Sequence, residues 1–275
     1  MSVKVMINGL PGKMASEVAR AVLAQGLELI PHSFTGMENS GEEVWFGSKR
    51  IKLVTVNREG ALEAIKREYM PFITVDYTVP NAVESNVRFY IDNGLPFVLG
   101  TTGYDRNEAM RLINDAKISC VVAPNMAKRI VAFQMMMEYQ RDACPNLYKG
   151  LTLEIEESHQ AAKLDTSGTA KAMADIFSSM GIEPFVYDDI KKIRDEEAQL
   201  NFGVPHQYLD GHAFHTYRLL FPDGKVAFEF KHNICGRSEY ANGTVDAVRF
   251  LADRIRPMGS GECFSMIDVL ESGTM

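Results

Sequence analysis

The chain has 275 residues, a formal net charge of −7 and 46% hydrophobic residues. This length suits one large domain or two modest ones, with enough apolar side chains for a sizeable core. The acidic balance excludes a broad basic face for nucleic acid or anionic lipid. An anionic ligand would therefore need a local cluster of donors.

The cysteines and the hydropathy pattern indicate the compartment. Cys120, Cys144, Cys235 and Cys263 are far apart and form no Cys-x-x-Cys pair, which favours free thiols in a reducing compartment over a zinc site. No apolar run approaches the roughly 18 residues of a membrane span. The first residues are predicted to form a strand at once, so we expect no targeting peptide before them. We expect a cytoplasmic protein with no membrane or nucleic-acid partner.

The first forty residues predict a βαβ unit. Val3–Gly9 is a short apolar strand, a helix begins after Gly12, and Leu27–Phe34 is a second strand. The turn reads Gly9-x-x-Gly12-x-x-Ala15 rather than the usual G-x-G-x-x-G. Glycines at this point let the backbone approach a pyrophosphate at the helix N-terminus, so the pattern predicts a dinucleotide site.

The end of the second strand bears on the choice of nucleotide. It carries no Asp or Glu that would bind the ribose 2′-hydroxyl of NAD, and Ser33 and Thr35 are available as donors. No arginine is evident next to them. The pattern therefore favours NADPH, with NADH as the alternative.

Three further strands end in turn-forming residues. They are Ile73–Pro80, Leu95–Gly103 and Ile118–Met126. The carboxyl ends of neighbouring parallel strands line one crevice, where ligands bind. The fold class predicted is α/β, with an N-terminal Rossmann domain, a doubly wound parallel sheet.

The second half has a different pattern of predicted helices and strands. Leu151–His159 alternates as a half-exposed antiparallel strand does, and Ser167 is a plausible N-cap of the next helix. Asp188–Pro205 is predicted to be a solvated loop or mobile segment. His212–Ile234 is predicted to be a hairpin with its turn at residues 222–224. Residues i and i+3 of a strand face opposite sides, so we expect no metal site at His212-x-x-His215.

The last part of the chain predicts a helix followed by a strand or helix that packs back on the nucleotide domain. We expect a dinucleotide-binding domain of residues 1–128 plus 240–275. Residues 129–239 would form a domain for substrate binding and oligomerisation.

The stretch ESHQAAKLDTSGTA concentrates positive potential after a strand. It contains His159, Lys163 and a helix start at Ser167, Gly168 and Thr169. A helix N-terminus offers unpaired N–H groups and a positive dipole end, which suit a carboxylate. An anionic substrate is predicted, and either Lys163 or His159 could supply the proton that follows a hydride.

These segments resemble the dihydrodipicolinate reductase family over essentially the whole chain. The resemblance is carried by NGLPGKM, VDYTVP, GTTGYD, APNM, ESHQAAKLDTSGTA, GHAFHTYRL and HNICGRSEYANGTVDAVRFLA, and the later segments are most similar to the plant-type branch. The usual bacterial signature is E-x-H-H-x-x-K-x-D-A-P-S-G-T-A. Here Gln160 replaces the second histidine and DTSGT replaces DAPSGT, as in the plant-type form.

The resemblance implies roles for individual residues. His159 would be the acid/base residue and Lys163 the proton donor, while Gly168 and Thr169 would contact a substrate carboxylate and Gln160 would occupy a substrate-contact position. The cofactor-binding positions implied are Gly9, Leu10, Pro11, Gly12, Lys13, Met14, Ser33, Phe34, Tyr77, Gly100, Thr101, Thr102, Ala123, Pro124, Asn125 and Met126.

The resemblance also implies the fold and the reaction. The second α/β domain would be built on an open mixed sheet, through which a homotetramer forms. The reaction would be NAD(P)H-dependent reduction of a small cyclic dicarboxylate, dihydrodipicolinate, to tetrahydrodipicolinate in diaminopimelate and lysine biosynthesis, in the cytoplasm or, after trimming of a transit peptide, the plastid stroma. The alternatives are another two-domain dehydrogenase of amino or semialdehyde acids, or a non-catalytic NADPH-binding protein.

Overall fold

The computed structural model describes residues 2–39, 43–183 and 185–273. The chain divides into two compact units. The first contains the residues up to Lys128 and those from Ser238 onward, and the second is Arg129–Arg237. The second segment of the first unit thus begins two residues before the predicted boundary at 240.

The helices and strands follow in chain order. Up to residue 122 they are β1 (Lys4–Asn8), α1 (Lys13–Ala24), β2 (Glu28–Leu29), β3 (His32–Phe34), β4 (Glu43–Phe46), β5 (Lys49–Val54), α2 (Arg58–Tyr69), β6 (Ile73–Asp76), α3 (Val83–Asp92), β7 (Phe97–Leu99), α4 (Arg106–Ala116) and β8 (Cys120–Val122). Those that follow are α5 (Lys128–Ala143), β9 (Thr152–His159), α6 (Gly168–Ser179), β10 (Lys191–Ile193), α7 (Glu196–Asn201), β11 (His212–Leu220), β12 (Val226–Cys235), α8 (Ser238–Ala252), β13 (Cys263–Phe264) and α9 (Met266–Glu271).

A six-stranded parallel sheet forms the centre of the first unit. Its order is β13-β8-β7-β6-β1-β2, and all of its pairings are parallel. The order runs outward in opposite directions from β1 and β6, so the topological switch point lies between these two strands. Ligands of such sheets bind at the carboxyl ends there. The predicted Rossmann fold is confirmed.

The predicted second strand, Leu27–Phe34, is wrong as a single element. The structure divides it into β2, which belongs to the six-stranded sheet, and β3, which belongs to a separate sheet of order β3-β5-β4. Pro31 lies between them, and its ring removes a backbone donor and fixes φ. No local sequence pattern had indicated β4, β5, α2 or α4.

The second unit is built on a mixed sheet of order β10-β9-β11-β12. Strands β9, β11 and β12 are antiparallel neighbours, while β10 is parallel to β9. The core beside this sheet contains Phe177 of α6 and Tyr217 of β11, both fully buried. The open mixed sheet and the hairpin with its turn near residues 222–224 are therefore as predicted.

The prediction of a solvated or mobile segment at Asp188–Pro205 is wrong. The segment contains β10 and α7, and Gln199 within it is buried. Asp195 is the N-cap of α7 and its carboxylate accepts the Ala198 N–H. Acidic residues in a first helical turn are stabilised by the helix dipole, so this charge run marks a helix start.

Candidate active site

The glycine turn after β1 leaves no room for a side chain at Gly9. Gly9 has a φ of +95°, and a Cβ there would lie 2.3 Å from the Tyr77 carbonyl oxygen. Its N–H donates to Phe34 O at 2.9 Å, and the Gly12 N–H donates to Gly9 O at 2.8 Å. Gly12 precedes α1 without a side-chain cap, so the helix N-terminus is available to a ligand.

A cavity of about 560 Å³ lies beside this turn. It brings together six of the predicted cofactor-binding residues. Its lining, among the residues that the structure describes, is Gly9, Pro11, Gly12, Lys13, Phe34, Thr35, Gly36, Glu38, Asn39, Arg58, Tyr77, Thr78, Val79, Ala82 and Asn86. The carboxyl ends of β1, β3 and β6 and the start of α2 therefore share one pocket at the topological switch point.

Ser33 and Leu10 support the turn from behind. Both are fully buried, and the Leu10 N–H donates to Ser33 Oγ at 3.3 Å. The hydroxyl of Thr35 accepts a hydrogen bond from Asn39 Nδ2 at 3.2 Å. Neither Leu10, Ser33 nor Met14 is among the residues that line the cavity.

Two charged residues of the cavity lining, Glu38 and Arg58, were not among the cofactor positions predicted from the sequence. No arginine is evident in the sequence next to Ser33 and Thr35, but in the structure Arg58 at the start of α2 lines the same cavity as Phe34 and Thr35. Glu38 contributes an acid a few residues beyond the strand end. Arg58 could have been found only by pairing β5 with β3, which puts the residues after β5 beside the end of β3.

A buried carboxylate organises the loop after β6. Asp76 is fully buried and accepts hydrogen bonds from Tyr90 Oη, Asn86 Nδ2, the Thr78 backbone and hydroxyl, and Thr101 Oγ1, at 2.7–3.0 Å. Burial raises the pKa of Tyr90 well above its ordinary value. Thr101, a predicted cofactor contact, therefore fixes this loop, while Thr102 is exposed.

The remaining predicted cofactor positions follow β7 and β8, outside the cavity lining. A Cβ at Gly100 would lie 2.3 Å from the Tyr77 ring, so the ring packs directly on the Gly100 backbone. The Tyr77 hydroxyl forms a hydrogen bond with the Thr244 hydroxyl at 2.7 Å, and burial raises the pKa of Tyr77. Four consecutive predicted positions lie at the carboxyl end of β8: Ala123, Pro124, Asn125 and Met126.

In the second unit, His159 lies at the end of β9 and is buried. Its Nδ1 is 3.2 Å from His212 O, and because a carbonyl only accepts, Nδ1 carries the proton. Its Nε2 has no hydrogen-bond partner in the described part of the chain. Burial, followed by the charges of Arg194 and Lys163, lowers the pKa of His159 to about 3. Near neutral pH the ring is therefore uncharged, with a free lone pair on Nε2.

A buried ion pair holds the backbone around His159. Glu157 is fully buried; its Oε1 pairs with Arg194 and its Oε2 accepts the Ser167 N–H at 3.0 Å. Arg194 also donates through Nε to the Lys163 carbonyl at 2.7 Å. Gln199 Nε2 donates to the His159 carbonyl at 2.7 Å. The segment first expected to be a solvated loop thus fixes the backbone at both predicted catalytic residues.

The loop from β9 to α6 carries the predicted substrate contacts. Lys163 Nζ is 2.7 Å from Asp165 Oδ2, and the Lys163 side chain remains 23% exposed. Ser167 Oγ accepts the N–H groups of Thr169 and Ala170, which confirms the predicted N-cap. A Cβ at Gly168 would meet no atom within 4 Å, so the space in front of the helix start is open.

Glu157, His159 and His215 have donor atoms within 4.8 Å of one another, a spacing that would suit a metal. Their atoms are largely engaged within the protein. The Glu157 carboxylate binds Arg194 and the Ser167 backbone, and His215 Nε2 is 3.1 Å from Ser167 Oγ. The adjacent guanidinium also opposes a second cation. We therefore interpret the cluster as a hydrogen-bond network.

A Rossmann unit with a glycine-turn cavity, joined to a mixed-sheet unit with a histidine–lysine cluster, defines a dinucleotide-binding protein of the two-domain oxidoreductase class. The models of the dihydrodipicolinate reductase N-terminus and C-terminus match residues 3–126 and 132–270. The chain belongs to the dihydrodipicolinate reductase family. Among the residues that the structure describes, no helix is both long and apolar enough to cross a bilayer.

Known relatives agree with the plant-type resemblance. The chain is 44% identical to the chloroplastic 4-hydroxy-tetrahydrodipicolinate reductase 2 of Arabidopsis thaliana, over 99% of this chain and 78% of the relative. It is 43% identical to a probable chloroplastic 4-hydroxy-tetrahydrodipicolinate reductase 1 of Oryza sativa subsp. japonica, over 100% of this chain and 80% of the relative. The dipicolinate-bound dihydrodipicolinate reductase of Paenisporosarcina sp. TG-14 shares the fold, with a TM-score of 0.64, 20% identity and coverage of 96% and 98%.

Proposed function

We propose that this protein catalyses the NAD(P)H-dependent reduction of dihydrodipicolinate, formed from 4-hydroxy-tetrahydrodipicolinate, to tetrahydrodipicolinate in diaminopimelate and lysine biosynthesis. Family membership and the names of the plant relatives support this reaction. The observation that carries it is the cluster at the end of β9, where His159 is followed by Lys163 and by the capped start of α6 at Ser167. A partly exposed lysine beside a helix N-terminus suits an anionic substrate.

The first unit would hold the dinucleotide. The Gly9 turn, the uncapped start of α1 and the adjacent cavity fit a pyrophosphate, with Lys13 as a nearby cation. The residues after β7 and β8 would contact the nicotinamide half. The bound nicotinamide supplies the hydride.

The second unit would hold the dicarboxylate. Lys163, the Gly168 backbone and Thr169 would bind a carboxylate at the start of α6, and Gln160 would provide an amide contact. The open space at Gly168 supports this assignment, because a carboxylate can approach the backbone N–H groups closely there. Lys163 would exchange Asp165 for the substrate when the latter binds.

Lys163 is the better proton donor of the two candidates. Its Nζ donates to Asp165 at 2.7 Å and so carries hydrogens that it can give, whereas the lowered pKa of His159 leaves its ring uncharged and its Nε2 able only to accept a hydrogen bond. His159 would therefore orient the substrate or the Lys163 side chain through Nε2. The network of Glu157, Arg194 and Gln199 would hold both residues in place.

The cofactor preference and the assembly belong to the same proposal. We infer NADPH as the preferred reductant, with NADH also accepted, and a homotetramer formed through the mixed sheet. Phe221, Val226 and Phe228 are each about half exposed along the β11–β12 hairpin, which supports an interface there. Light scattering of the purified protein would test the assembly, and a monomer would contradict it. A cytoplasmic or stromal location remains a prediction.

A coupled assay tests the reaction. Freshly generated 4-hydroxy-tetrahydrodipicolinate is added with NADPH or NADH, and the nicotinamide absorbance is followed. Substrate-dependent oxidation of NADPH or NADH would support the proposal. Turnover of aspartate or homoserine instead would favour a dehydrogenase of amino acids, and dinucleotide binding without turnover of any dicarboxylate would favour a non-catalytic binding protein.

A further inference from the structure

Arg58 occupies a fixed position in the dinucleotide cavity. Its guanidinium carbon lies 4.9 Å from the centre of the Phe34 ring and 4.6 Å from that of Phe89. The two rings are 5.5 Å apart and meet edge to face at 88°. A cation over two aromatic faces is held by cation–π attraction, so the guanidinium has a defined orientation before any ligand arrives.

The hydrogen-bonding capacity of Arg58 is not used within the described residues. Its Nε and Nη2 atoms are buried without a hydrogen-bond partner, and no acidic side chain of the described chain forms an ion pair with it. Buried donors almost always have partners, and a guanidinium can bind a phosphate through two parallel N–H groups. The orphaned donors and the cavity that Arg58 lines therefore point to an anion.

The position of Arg58 in the fold identifies which anion. Strand β5 is parallel to β3, with Phe34 opposite Val54, so the residues that follow β5 lie beside the end of β3. In Rossmann folds this strand end faces the adenosine ribose, where an acid binds the 2′-hydroxyl of NAD and an arginine binds the 2′-phosphate of NADP. Lys13 is instead the first residue of α1, directly after the glycine turn where the pyrophosphate would bind.

Helix stability does not account for an arginine here. Arg58 is the first residue of α2, after Asn57 in the left-handed conformation with a φ of 49°. A positive charge in the first turn is repelled by the helix dipole. The charge therefore adds to a positive potential that a bound anion would relieve.

We propose that Arg58 binds the ribose 2′-phosphate and makes this protein selective for NADPH over NADH. The inference rests on the proposed function for the presence of a dinucleotide, and it deepens it by assigning the selectivity. Glu38, whose carboxylate lies against Gly36 in the same cavity, acts in the opposite direction because it repels a 2′-phosphate. The balance of Arg58 and Glu38 sets the ratio of the two affinities.

The test compares dissociation constants, measured by nicotinamide fluorescence, for NADPH and NADH in the wild type and in Arg58→Met. Methionine keeps an apolar contact with both rings and removes the charge and donors. We expect the NADPH constant to rise about 10- to 100-fold, as for loss of a charge-assisted contact, and the NADH constant to change less than about twofold. Arg50→Met is the matched control, because Arg50 is an exposed arginine on the neighbouring β5.

Calorimetry with adenosine 2′,5′-bisphosphate and with AMP gives a readout without the nicotinamide. Arg58→Met should weaken only the bisphosphate, and Glu38→Gln should strengthen it. Equal weakening of NADPH and NADH, or no change in either, would overturn the proposal and leave Arg58 as a brace between two rings. A wild type that binds neither nucleotide would instead refute the proposed function itself.

Discussion

The carboxylate of Glu157 and the guanidinium of Arg194 form a buried ion pair that links the end of β9 to the segment after β10. The same guanidinium donates to the carbonyl of Lys163, and the same carboxylate accepts the N–H of Ser167. This one pair of side chains therefore fixes the loop that runs from β9 to α6 and carries Lys163.

Removing one partner of this pair should destabilise the protein. We expect Arg194→Met to lower the free energy of unfolding by about 3 kcal/mol, because the buried Glu157 carboxyl would lose its ion-pair partner. Urea denaturation measures the change. Lys192→Met, at an exposed position of β10, is the control. A loss below about 1 kcal/mol for Arg194→Met would contradict the role given to the pair.

Lys163 should act mainly in the transition state. Lys163→Ala is expected to lower kcat about 10²- to 10⁴-fold while the dissociation constant of NADPH changes little. Stopped-flow turnover and equilibrium binding give the two numbers. The exposed Lys149 provides the control variant Lys149→Ala. Equal losses in turnover and dinucleotide binding would show a structural role instead.

The buried histidines should make the protein sensitive to acid. The pKa of His159 is lowered to about 3 and that of His232 to about 4, from a value near 6.5 in the unfolded chain. Between the lowered pKa values and 6.5, the unfolded state binds more protons than the folded state. The contribution of these neutral histidines to the free energy of unfolding is therefore complete above about pH 6.5 and is lost as the pH falls toward 3.

Denaturation at pH 7.5 and pH 5 measures this loss. His159→Asn should reduce the pH dependence, whereas His206→Asn, at an exposed position, should leave it unchanged. The ring resonances of His159 in a nuclear magnetic resonance titration should stay constant from pH 5 to 8. A midpoint near 6.5 would refute the lowered pKa of His159 and, with it, the acid sensitivity that is expected from this residue.

Gly9 should tolerate substitution less well than Gly26, although both have positive φ values, +95° and +75°. An alanine at Gly26 meets nothing within 4 Å, so only the left-handed backbone is penalised, by about 1–2 kcal/mol. At Gly9 the added Cβ would also collide with the Tyr77 carbonyl. Gly9→Ala should therefore cost more in urea denaturation and abolish dinucleotide binding. Equal costs would show that the turn can open.

Gly168 should matter for substrate and not for folding. Because a Cβ there meets no atom within 4 Å, Gly168→Ala should leave the melting temperature unchanged or slightly raised. A methyl group in front of the helix start should raise KM for the dicarboxylate severalfold, with NADPH affinity unchanged as the internal control. An unchanged KM would remove Gly168 from the carboxylate site.

The local signals in the sequence predicted several parts of the fold and of the site. Neighbouring residues alone indicated the strand, glycine turn and helix of residues 3–26, and also the cap of α6 by Ser167. Buried apolar runs ending in turn residues located β6, β7 and β8. A residue pattern decides such features because strand burial, helix caps and positive φ values depend on a few neighbouring residues.

Only the tertiary structure decided which distant residues meet. The pairing of β3 with β5 puts Arg58 over Phe34, and the pairing of β9 with β10 and β11 puts Arg194 and His215 beside Glu157. Register between strands many residues apart is set by the packing of the whole sheet, which no local period encodes. The sequence by itself determined several of the elements and identified residues capable of acid–base and binding chemistry. The fold determined which of those residues are neutral, paired or left with unused donors, because burial and partners set these properties.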